Sequence, residues 1–482
     1  MKIIFLFYFL IKMLKLIFLI QLIIKIYKSD KLISVYSIDR HGSRSPMITN
    51  DNHKDFFDIE WPNPGMLTPN GERMLYILGM YKRYKYIVKL NFISPKCESN
   101  EIYFGCSYEK RAIMSALSEI QGLCPLNKNY DKNVSLDFIN YTYPNLNFFN
   151  EMNDEINSLK NITSSLPNSL FLLPITIYHI LDRKLLVNLH ECPNARKILE
   201  NNWKNEKIIN LVKEFNQKFG NKLSNSIKKE ELNDFLKLFD ITDQYISGLY
   251  NGKKPEEKLK LLNIDPNEFL NISNKFHEIY MNEYLLGDKN KDMIYIEISQ
   301  LLLDAINYMK KRVDSDINNE DISKQIYDYS KPKLVVVTGH DVTIFALQFF
   351  IKINFNIGNE INIFDISYGG SGVFEVYKNN VNKEKYDYSD YYVNYLINDK
   401  ILKKFKFDEF INIVEKNIWN IEKIEKYCGN YNSKIGITIV LIILIIVIIF
   451  LIIVIIYIKF SFDKKNNKDE NRKIEINLIG NN

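Results

Sequence analysis

The sequence KLISVYSIDRHGSRSP, which runs from Lys31 to Pro46, carries the information that decides the fold. Its first eight residues are mostly apolar, β-branched or aromatic, and this composition predicts a β-strand. The segment DRHGSRSP at 39–46 follows directly, and its polar residues with Gly and Pro predict a turn. The strand therefore ends in two arginines and a histidine, which are Arg40, His41 and Arg44.

A second strand with a polar end occurs late in the chain. The sequence KLVVVTGHD at 333–341 is a strongly apolar run that leads into His340 and Asp341. Ligands of α/β sheets bind beyond the carboxyl ends of the strands. Arginine forks match phosphate oxygens, histidine can attack phosphorus, and a His–Asp pair can bind an anion and donate a proton. A further cation, Arg111, lies just inside a helix predicted over 110–123 and can complete a phosphate site.

Together these segments resemble the histidine phosphatase superfamily in its acid phosphatase branch. RHGSRSP at 40–46 matches the RHGxRxP motif of that branch, and GHDVT at 339–343 matches its HD motif. Further matches occur in the same order as in the family, at 65–86, 106–123, 364–378 and 391–397. The resemblance covers about 31–125 and 295–400, whereas the middle of the chain matches only loosely.

The resemblance implies a mechanism as well as a family. His41 is similar to the nucleophile that forms a phosphohistidine, and Asp341 is similar to the proton donor to the leaving oxygen. Four residues are similar to the groups that bind the phosphate, namely Arg40, Arg44, Arg111 and His340. No cofactor is implied, and the sequence contains no metal-ligand spacing. The other histidines are interpreted as ordinary residues, and these are His53, His179, His190 and His277.

The order of predicted elements indicates an α/β fold. Strands and helices alternate over 31–130 and again over 295–410, and the resemblance implies a three-layer, phosphoglycerate-mutase-like core. Residues 131–294 are rich in Asn, Lys and Glu, with helical patterns at 206–219 and 230–239. We therefore expect a mostly helical cap inserted into the core.

The two ends of the chain predict a membrane protein. Residues 435–458 contain no charge, and a helix needs about 20 apolar residues to cross a bilayer. We predict a transmembrane helix there, followed by a cytosolic tail at 459–482. Residues 1–28 combine lysines with a short apolar run and resemble a signal peptide or a signal anchor. The predicted topology is single-pass type I, with the catalytic domain luminal or extracellular, in the secretory or endolysosomal system or at the cell surface.

Composition narrows the choice of partners. The formal charge is +5, from 63 Lys and Arg against 58 Asp and Glu in 482 residues, which does not suggest nucleic acid. We expect a phosphomonoester substrate and leave a homodimer open. Four sequons predict a glycoprotein, at Asn133, Asn140, Asn161 and Asn271.

The five cysteines all lie in the predicted luminal part, where disulfides persist. Their odd number leaves at least one thiol free or paired outside the chain. Some bacterial relatives carry a bridge around the segment of the third arginine, so the resemblance implies a disulfide between Cys97 and Cys124.

Three alternative functions deserve comparison. A phosphoglycerate-mutase-like enzyme is disfavoured by the predicted secretion and by Asp341. A phytase or inositol-polyphosphate phosphatase of the same branch is disfavoured by the HD motif, because such relatives can carry a His-Ala-Glu form. A catalytically inactive binding ectodomain is disfavoured because all six site residues are present. An assay of phosphate release separates an enzyme from an inactive ectodomain.

Overall fold

The computed structural model describes residues 12, 13, 15, 30–47, 55–61, 63–124, 173–179, 192–202, 205–285, 291–320, 332–358, 366–380, 383–429 and 441–459. The chain divides into two compact units. One comprises residues 1–190 and 197–420, and the other comprises residues 191–196 and 421–482. The predicted signal segment lies outside the described residues, apart from Lys12, Met13 and Lys15, as do Asn133, Asn140 and Asn161.

Within the described residues, a mixed sheet of seven strands organises the larger unit. The strands are β1 (Lys31–Arg40), β2 (Ile102–Ser107), β3 (Ile175–Tyr178), β4 (Leu334–Gly339), β5 (Ser371–Lys378), β6 (Tyr391–Ile397) and β7 (Lys400–Lys406). They lie in the order β3-β2-β4-β1-β5-β6-β7. Strands β1 to β4 pair in parallel, whereas β5, β6 and β7 are added antiparallel. The predicted late pair of strands is therefore present as β5 and β6, and it continues into β7.

Helices cover both faces of this sheet and form the region between its halves. Those of the larger unit are α1 (Pro69–Lys82), α2 (Lys110–Leu123), α3 (Pro193–Asn202), α4 (Glu206–Phe215), α5 (Phe235–Tyr250), α6 (Glu256–Leu261), α7 (Pro266–Leu285), α8 (Asp292–Ile317), α9 (Asp341–Asn354) and α10 (Phe407–Asn417), with α3 beginning in the smaller unit. The smaller unit also contains α11 (Ile421–Cys428) and α12 (Leu441–Lys459). Shorter helical turns occur at Arg83–Lys89, Asn216–Gly220, Asn221–Leu223, Glu231–Asn233 and Tyr388–Asp390.

Strand β1 shows why the core has three layers. Its residues from Ile33 onward are buried, as expected for a central strand that is covered on both faces. Because side chains alternate along a strand, Val35 joins a hydrophobic cluster with Ile120 of α2, while Tyr36 donates a hydrogen bond to Asp304 of α8 at 3.0 Å. The predicted three-layer α/β core is confirmed.

The register of β1 and β4 determines where the site forms. Arg40 lies opposite Gly339 in the parallel ladder. The residues that follow, His41 and His340, therefore lie side by side at the carboxyl ends of these two strands. Helix α9 begins at Asp341, directly after His340. The end of β1 and the start of α9 therefore lie next to each other.

The helices between 206 and 285 build a hydrophobic cluster of their own. Phe215, Phe219, Phe269 and Phe276 are fully buried in it. The predicted helix at 230–239 is wrong in its boundaries, because the Asp234 carboxylate accepts hydrogen bonds from the backbone of residues 236 and 237 and starts α5 at Phe235. Strand β3 also comes from the region 131–294, and it pairs with β2 at the edge of the sheet.

Two disulfides join four of the five cysteines. The predicted bridge between Cys97 and Cys124 is present, and a second bridge links Cys192 to Cys428 within the smaller unit. Cys106 is free and buried, and burial raises the pKa of its thiol to about 12. Cys106, which has no disulfide partner, is thus a core residue.

Helix α12 is the described helix that is long and apolar enough to cross a membrane. It has 19 residues, a mean hydropathy of 3.9, and no residue in its most apolar stretch is buried by the rest of the protein. Residues 435–440 of the predicted span lie outside the described residues.

Candidate active site

His41 lies buried at the centre of the site, just beyond β1. Its Nδ1 is 2.8 Å from the carbonyl oxygen of Gly42, which can only accept a hydrogen bond, so Nδ1 carries the ring proton. Nε2 then keeps its lone pair and accepts a hydrogen bond from Nε of Arg111 at 3.3 Å. Burial and the charges of Arg111 and Arg40 hold the pKa of His41 well below its usual range.

The loop after β1 needs glycine where it meets the start of α1. A Cβ atom on Gly42 would lie 2.3 Å from the carbonyl oxygen of Gly71, which is closer than atoms can approach. The amide of Gly42 donates to Oγ of Ser115 at 3.1 Å, and Thr68 caps α1 by accepting from the amide of Gly71. These contacts fix the loop between α1 and α2.

Each of the three arginines in the site is paired with one carboxylate. The pairs are Arg40 with Asp341 at 2.8 Å, Arg44 with Asp243 at 3.0 and 3.1 Å, and Arg111 with Glu109 at 2.9 Å. The Arg44 pair is bidentate, and both of its side chains are nearly buried. The cationic cluster is therefore balanced by carboxylates of the chain itself.

His340 contacts the site from the end of β4. Its Nε2 is 2.8 Å from Oγ of Ser107 at the end of β2, and Nη2 of Arg111 approaches Nδ1 at 3.5 Å. The rings of His41 and His340 are 5.4 Å apart. Burial and the charge of Arg111 lower the pKa of His340 to about 3, so the imidazole is neutral at ordinary acidic pH.

Asp341 is the first residue of α9. Burial opposes its ionisation, but the charges of Arg40 and Arg44 outweigh burial and hold its pKa below the usual range. One oxygen, Oδ2, accepts from Arg40, and the other accepts from the amide of Val342 at 2.9 Å. Asp341 is therefore a carboxylate in this arrangement.

An aromatic residue covers one side of the site. The guanidinium of Arg40 lies 4.1 Å from the ring centre of Tyr368, and the ring of His41 is 5.8 Å from the same ring. Tyr250, at the end of α5, contacts Tyr368 at 5.0 Å between ring centres. Tyr368 thus joins the site to the helices between the core halves.

The six residues proposed from the sequence are brought together by these contacts. Arg40, Arg44 and Asp341 line a cavity of about 820 Å³, which α5 and α7 close from the opposite side. His277 of α7 lines this cavity too, so its interpretation as an ordinary residue without site context is wrong. The sequence analysis also missed Asp243, Ser107 and Tyr368. The run TDQ at 242–244 was a usable signal, because these buried polar residues interrupt an otherwise apolar helix face.

A buried charged cluster lies beneath the site. Lys82 donates to Asp39 and to Glu119, both at 2.5 Å, and all three side chains are buried. Burial raises the pKa of Glu119 to about 8. Because Asp39 directly precedes Arg40, this cluster holds the end of β1 in place.

A second cavity lies at the opposite ends of the strands from the candidate site. It has a volume of about 980 Å³ and is lined by charged residues near the amino ends of β1 and β4. Several of these charges pair within the wall, as Lys31 does with Asp316 and Lys333 with Glu101. In the part of the chain that the structure describes, no group of three or more His, Cys, Asp or Glu side chains is arranged to hold a metal ion.

Comparison with known proteins identifies the family of this arrangement. Residues 31–398 match the model of the histidine phosphatase superfamily, branch 2. Two curated relatives from Caenorhabditis elegans are named "Putative acid phosphatase 11" and "Putative acid phosphatase 10". They are 32% identical over 123 residues and 34% identical over 99 residues, or 25% and 20% of this chain. These alignments span only 28% and 23% of the relatives' own lengths.

Solved structures give the same fold. A phytase from Citrobacter braakii superposes with a TM-score of 0.50 at 13% identity, covering 83% of this chain and 99% of the phytase. A phytase from D. castellii also has a TM-score of 0.50, at 15% identity, covering 83% of this chain and 82% of the phytase. At such identities the likeness concerns the fold alone.

Proposed function

Because the chain belongs to branch 2 of the histidine phosphatase superfamily, we propose that it is an acid phosphatase that hydrolyses phosphate monoesters through a phosphohistidine on His41. The observation that carries the proposal is the continuous set of contacts from Arg111 through His41 to His340, and from Arg40 to Asp341. A nucleophile, an acid and several cations in close contact are the groups that phosphoryl transfer requires.

In the first step the substrate phosphate binds among Arg40, Arg44, Arg111 and His340. Nε2 of His41 attacks phosphorus, and the bond from phosphorus to the ester oxygen breaks. Asp341 gives its proton to that oxygen, which leaves as the alcohol. The backbone carbonyl of Gly42 supports this role, because it holds the ring proton on Nδ1 and leaves Nε2 to attack.

In the second step water replaces His41. The carboxylate of Asp341 takes a proton from the water, the water oxygen bonds to phosphorus, and the P–N bond breaks. Inorganic phosphate leaves, and His41 regains its lone pair. No group outside the chain is needed for the protons to balance.

The electrostatics favour an acidic optimum. His41 stays unprotonated in acid because its pKa is lowered by burial and by the arginines. Asp341 must be protonated to act as the acid, yet the arginines Arg40 and Arg44 lower its pKa. A bound phosphate offsets their charge and raises the pKa of Asp341 in the complex. Activity should therefore fall as the pH rises and the complex loses this proton.

The test is a phosphate-release assay of the detergent-solubilised full chain between acidic and neutral pH. We expect turnover of phenyl phosphate with an acidic optimum, and we expect EDTA to leave it intact. His41→Ala should abolish turnover, with His179→Ala as the control, because His179 is exposed and outside the cavity. Loss of activity on chelation, or retention of most activity by His41→Ala, contradicts the proposal. An inactive ectodomain would release no phosphate at any pH, and faster release from inositol hexakisphosphate would favour the phytase alternative.

We also propose that α12 anchors the enzyme in a membrane as a type I protein. The support is the length and apolarity of α12 together with two disulfides, which persist in oxidising compartments. Glycosylation remains a prediction, and Asn271 is an exposed sequon on α7.

A further inference from the structure

Three charged side chains meet beneath the candidate active site, where β1, α1 and α2 come together. Nζ of Lys82, on α1, is 2.5 Å from a carboxylate oxygen of Asp39 on β1 and 2.5 Å from one of Glu119 on α2. The exposed fraction of each side chain is 3% or less. We call Asp39, Lys82 and Glu119 the buried triad. It contains two acids and one base, so it is neutral only when one of the acids holds a proton.

The hydrogen bonds of the buried triad indicate which acid holds this proton. Both oxygens of Asp39 accept, since Oδ1 accepts from Oγ of Ser37 at 2.9 Å and Oδ2 accepts from Lys82. Oε1 of Glu119 also accepts from Lys82, but its Oε2 is buried and has no hydrogen-bond partner among the described residues. A buried carboxylate with an unpaired oxygen costs more free energy than a neutral carboxyl group. Burial accordingly raises the pKa of Glu119 to about 8, although the charge of Lys82 opposes this shift.

The titratable groups around the buried triad are engaged elsewhere or neutral. In the helical turn after α1, Arg83 donates to a backbone carbonyl of α2 at 3.2 Å, while Lys85 and Tyr86 contact a carboxylate on β5 at 2.7 and 2.8 Å. On β2, burial raises the pKa of the Cys106 thiol to about 12, and β4 carries no titratable side chain. Burial opposes the charge of Lys82, but the two acids outweigh burial and raise its pKa. The triad therefore gains a net negative charge when its one proton leaves.

The buried triad is one of two ties between the end of β1 and α2. Asp39 lies two positions before His41 and reaches α2 through the other two members of the triad. Gly42 lies one position after His41, and its amide donates to Oγ of Ser115 on α2 at 3.1 Å. Arg111 lies on the same helix, four residues before Ser115, and its Nε donates to Nε2 of His41 at 3.3 Å. The spacing of His41 and Arg111 therefore depends on both ties.

Helices α1 and α2 touch backbone to backbone at the buried triad. A Cβ atom on Gly79 would lie 2.1 Å from the carbonyl oxygen of Glu119, and one on Gly122 would lie 1.9 Å from that of Tyr76. Because the two backbones are already in contact, the helices cannot approach further to shield an added charge. Repulsion between the two ionised acids would then act directly on the distance between β1 and α2.

We propose that Glu119 is a positioning residue for the phosphate-binding groups: in its protonated form it lets Lys82 hold β1 against α2, and in its ionised form it weakens both phosphate binding and the fold. The inference rests on the proposed phosphatase function where it concerns phosphate, whereas its effect on stability is independent of catalysis.

Thermal unfolding of the full chain in detergent, from about pH 4 to about pH 9.5, tests the buried proton. A raised folded-state pKa contributes stability that is present below the unfolded pKa and is lost as the pH rises through the folded pKa. Glu119→Gln cannot ionise, so its melting temperature should match that of the wild type near pH 4, exceed it increasingly up to about pH 8 and stay a constant amount higher above that. Glu257→Gln is the matched control, whose difference from the wild type should vary little, since Glu257 is exposed. A difference for Glu119→Gln that stays constant or shrinks as the pH rises overturns the proposal.

Calorimetry with inorganic phosphate tests the positioning. At pH 5 the Kd of Glu119→Gln should lie within about twofold of the wild-type value, and at pH 9 the variant should bind at least about threefold more tightly, because it adds no negative charge beneath the anion. Glu119→Leu removes the acceptor of Lys82 on α2, so its Kd should be about tenfold higher at both pH values. An unchanged Kd in Glu119→Leu, together with a lower melting temperature, would show a merely structural role. If Glu119→Leu does not fold, Glu119→Gln decides alone, and a Kd equal to the wild-type value at pH 9 contradicts the proposal.

These outcomes differ from a failure of the proposed function. Release of phosphate from phenyl phosphate by the unmodified chain tests that function by itself. A chain that neither releases nor binds phosphate refutes the phosphatase and the positioning role together, even if its melting temperature responds as expected. A chain that releases phosphate while both variants bind it like the wild type keeps the phosphatase and loses the positioning role of Glu119.

Discussion

Asp341 combines two demands that oppose each other at the scale of a single residue. In the proposed mechanism it must hold a proton to release the alcohol, yet it accepts a hydrogen bond from the Arg40 guanidinium at 2.8 Å. Arg40, which is proposed to bind phosphate, thus favours the ionised form of Asp341. If the proposed mechanism holds, Asp341 becomes a proton donor only once a bound phosphate offsets the charge of Arg40.

Replacing Asp341 by Asn should separate substrates by their leaving groups. Alkyl phosphates need protonation of a poor leaving oxygen, whereas aryl phosphates leave with less help. We expect kcat of Asp341→Asn to fall at least tenfold more for glycerol 2-phosphate than for p-nitrophenyl phosphate, as measured by steady-state kinetics. Equal losses on the two substrates would assign the proton transfer to another group.

Asp243 is expected to position Arg44 and to stabilise the fold. Burial opposes ionisation of Asp243, but Arg44 outweighs burial and holds its pKa below the usual range. Asp243→Asn leaves a buried arginine without its counter-charge, which should cost about 3 kcal/mol of unfolding free energy at neutral pH. A depressed folded-state pKa contributes stability above the unfolded pKa that is lost as the pH falls through the folded value. The difference between variant and wild type should therefore shrink in strong acid.

Thermal unfolding at pH 7 and pH 3 measures this difference. Glu257→Gln is the matched control, because Glu257 pairs with Lys254 on the surface, where both side chains are about two-thirds exposed (67% and 68%). Such a pair contributes about 0–1 kcal/mol. A loss for Asp243→Asn no larger than that of the control would show that Arg44 does not depend on Asp243.

At the scale of elements, β2 and α2 form a unit that carries Arg111 and is closed by the bridge between Cys97 and Cys124. The two cysteines are 27 positions apart, and a loop of this length should contribute about 3–4 kcal/mol in the chain-entropy model. We expect the double variant Cys97→Ser, Cys124→Ser to lose about this much stability in thermal unfolding. A non-reducing peptide map should find both cysteines joined and Cys106 as a thiol, and two free thiols at 97 and 124 would refute the bridge.

Strands and helices were predictable from the sequence where their pattern of apolar residues matches their burial in the fold. Strands β1 and β4 are continuous apolar runs, because both of their faces are buried, and each ends in a polar motif that reaches the site. Strand β7 escaped prediction because its sequence KILKKFK is lysine-rich, as suits an exposed sheet edge. The short strand β3 also escaped prediction, although its residues ITIY at 175–178 are β-branched or aromatic, and it pairs in parallel with β2.

The residues of the candidate site also divide into those that a local sequence pattern predicts and those that only tertiary packing brings to the site. The residues that follow β1 and β4 were predictable, since parallel strands end at the same edge of a sheet. His277 was not, because its place depends on how α7 packs over that edge. For Asp243 the polar run at 242–244 marked the position, but its pairing with Arg44 depends on the packing of α5. Helix α7 reads as an ordinary amphipathic helix around His277, and only tertiary structure brings the imidazole to the cavity.

At the scale of the whole molecule, the proposed topology predicts which parts a protease can reach. In sealed vesicles that contain the full chain, protease outside should remove only the tail beyond Lys459, and the catalytic domain should be cut only after detergent is added. N-terminal sequencing of the mature protein should find the first segment removed, because β1 begins at Lys31. Digestion of the domain in intact vesicles would reverse the orientation, and a mature start at Met1 would identify an uncleaved anchor.

The bridge between Cys192 and Cys428 changes what a cut in the chain means. The two cysteines are 236 positions apart, so the bond closes a covalent ring that contains β4, α9 and the His340–Asp341 pair. A single nick anywhere inside this ring leaves one molecule, because the fragments stay tied to each other until the bond is reduced. A nick between Cys428 and α12 lies outside the ring and would separate the whole ring from α12. If α12 anchors the protein as proposed, one kind of cut would release the ring from the membrane and the other would clip it without release.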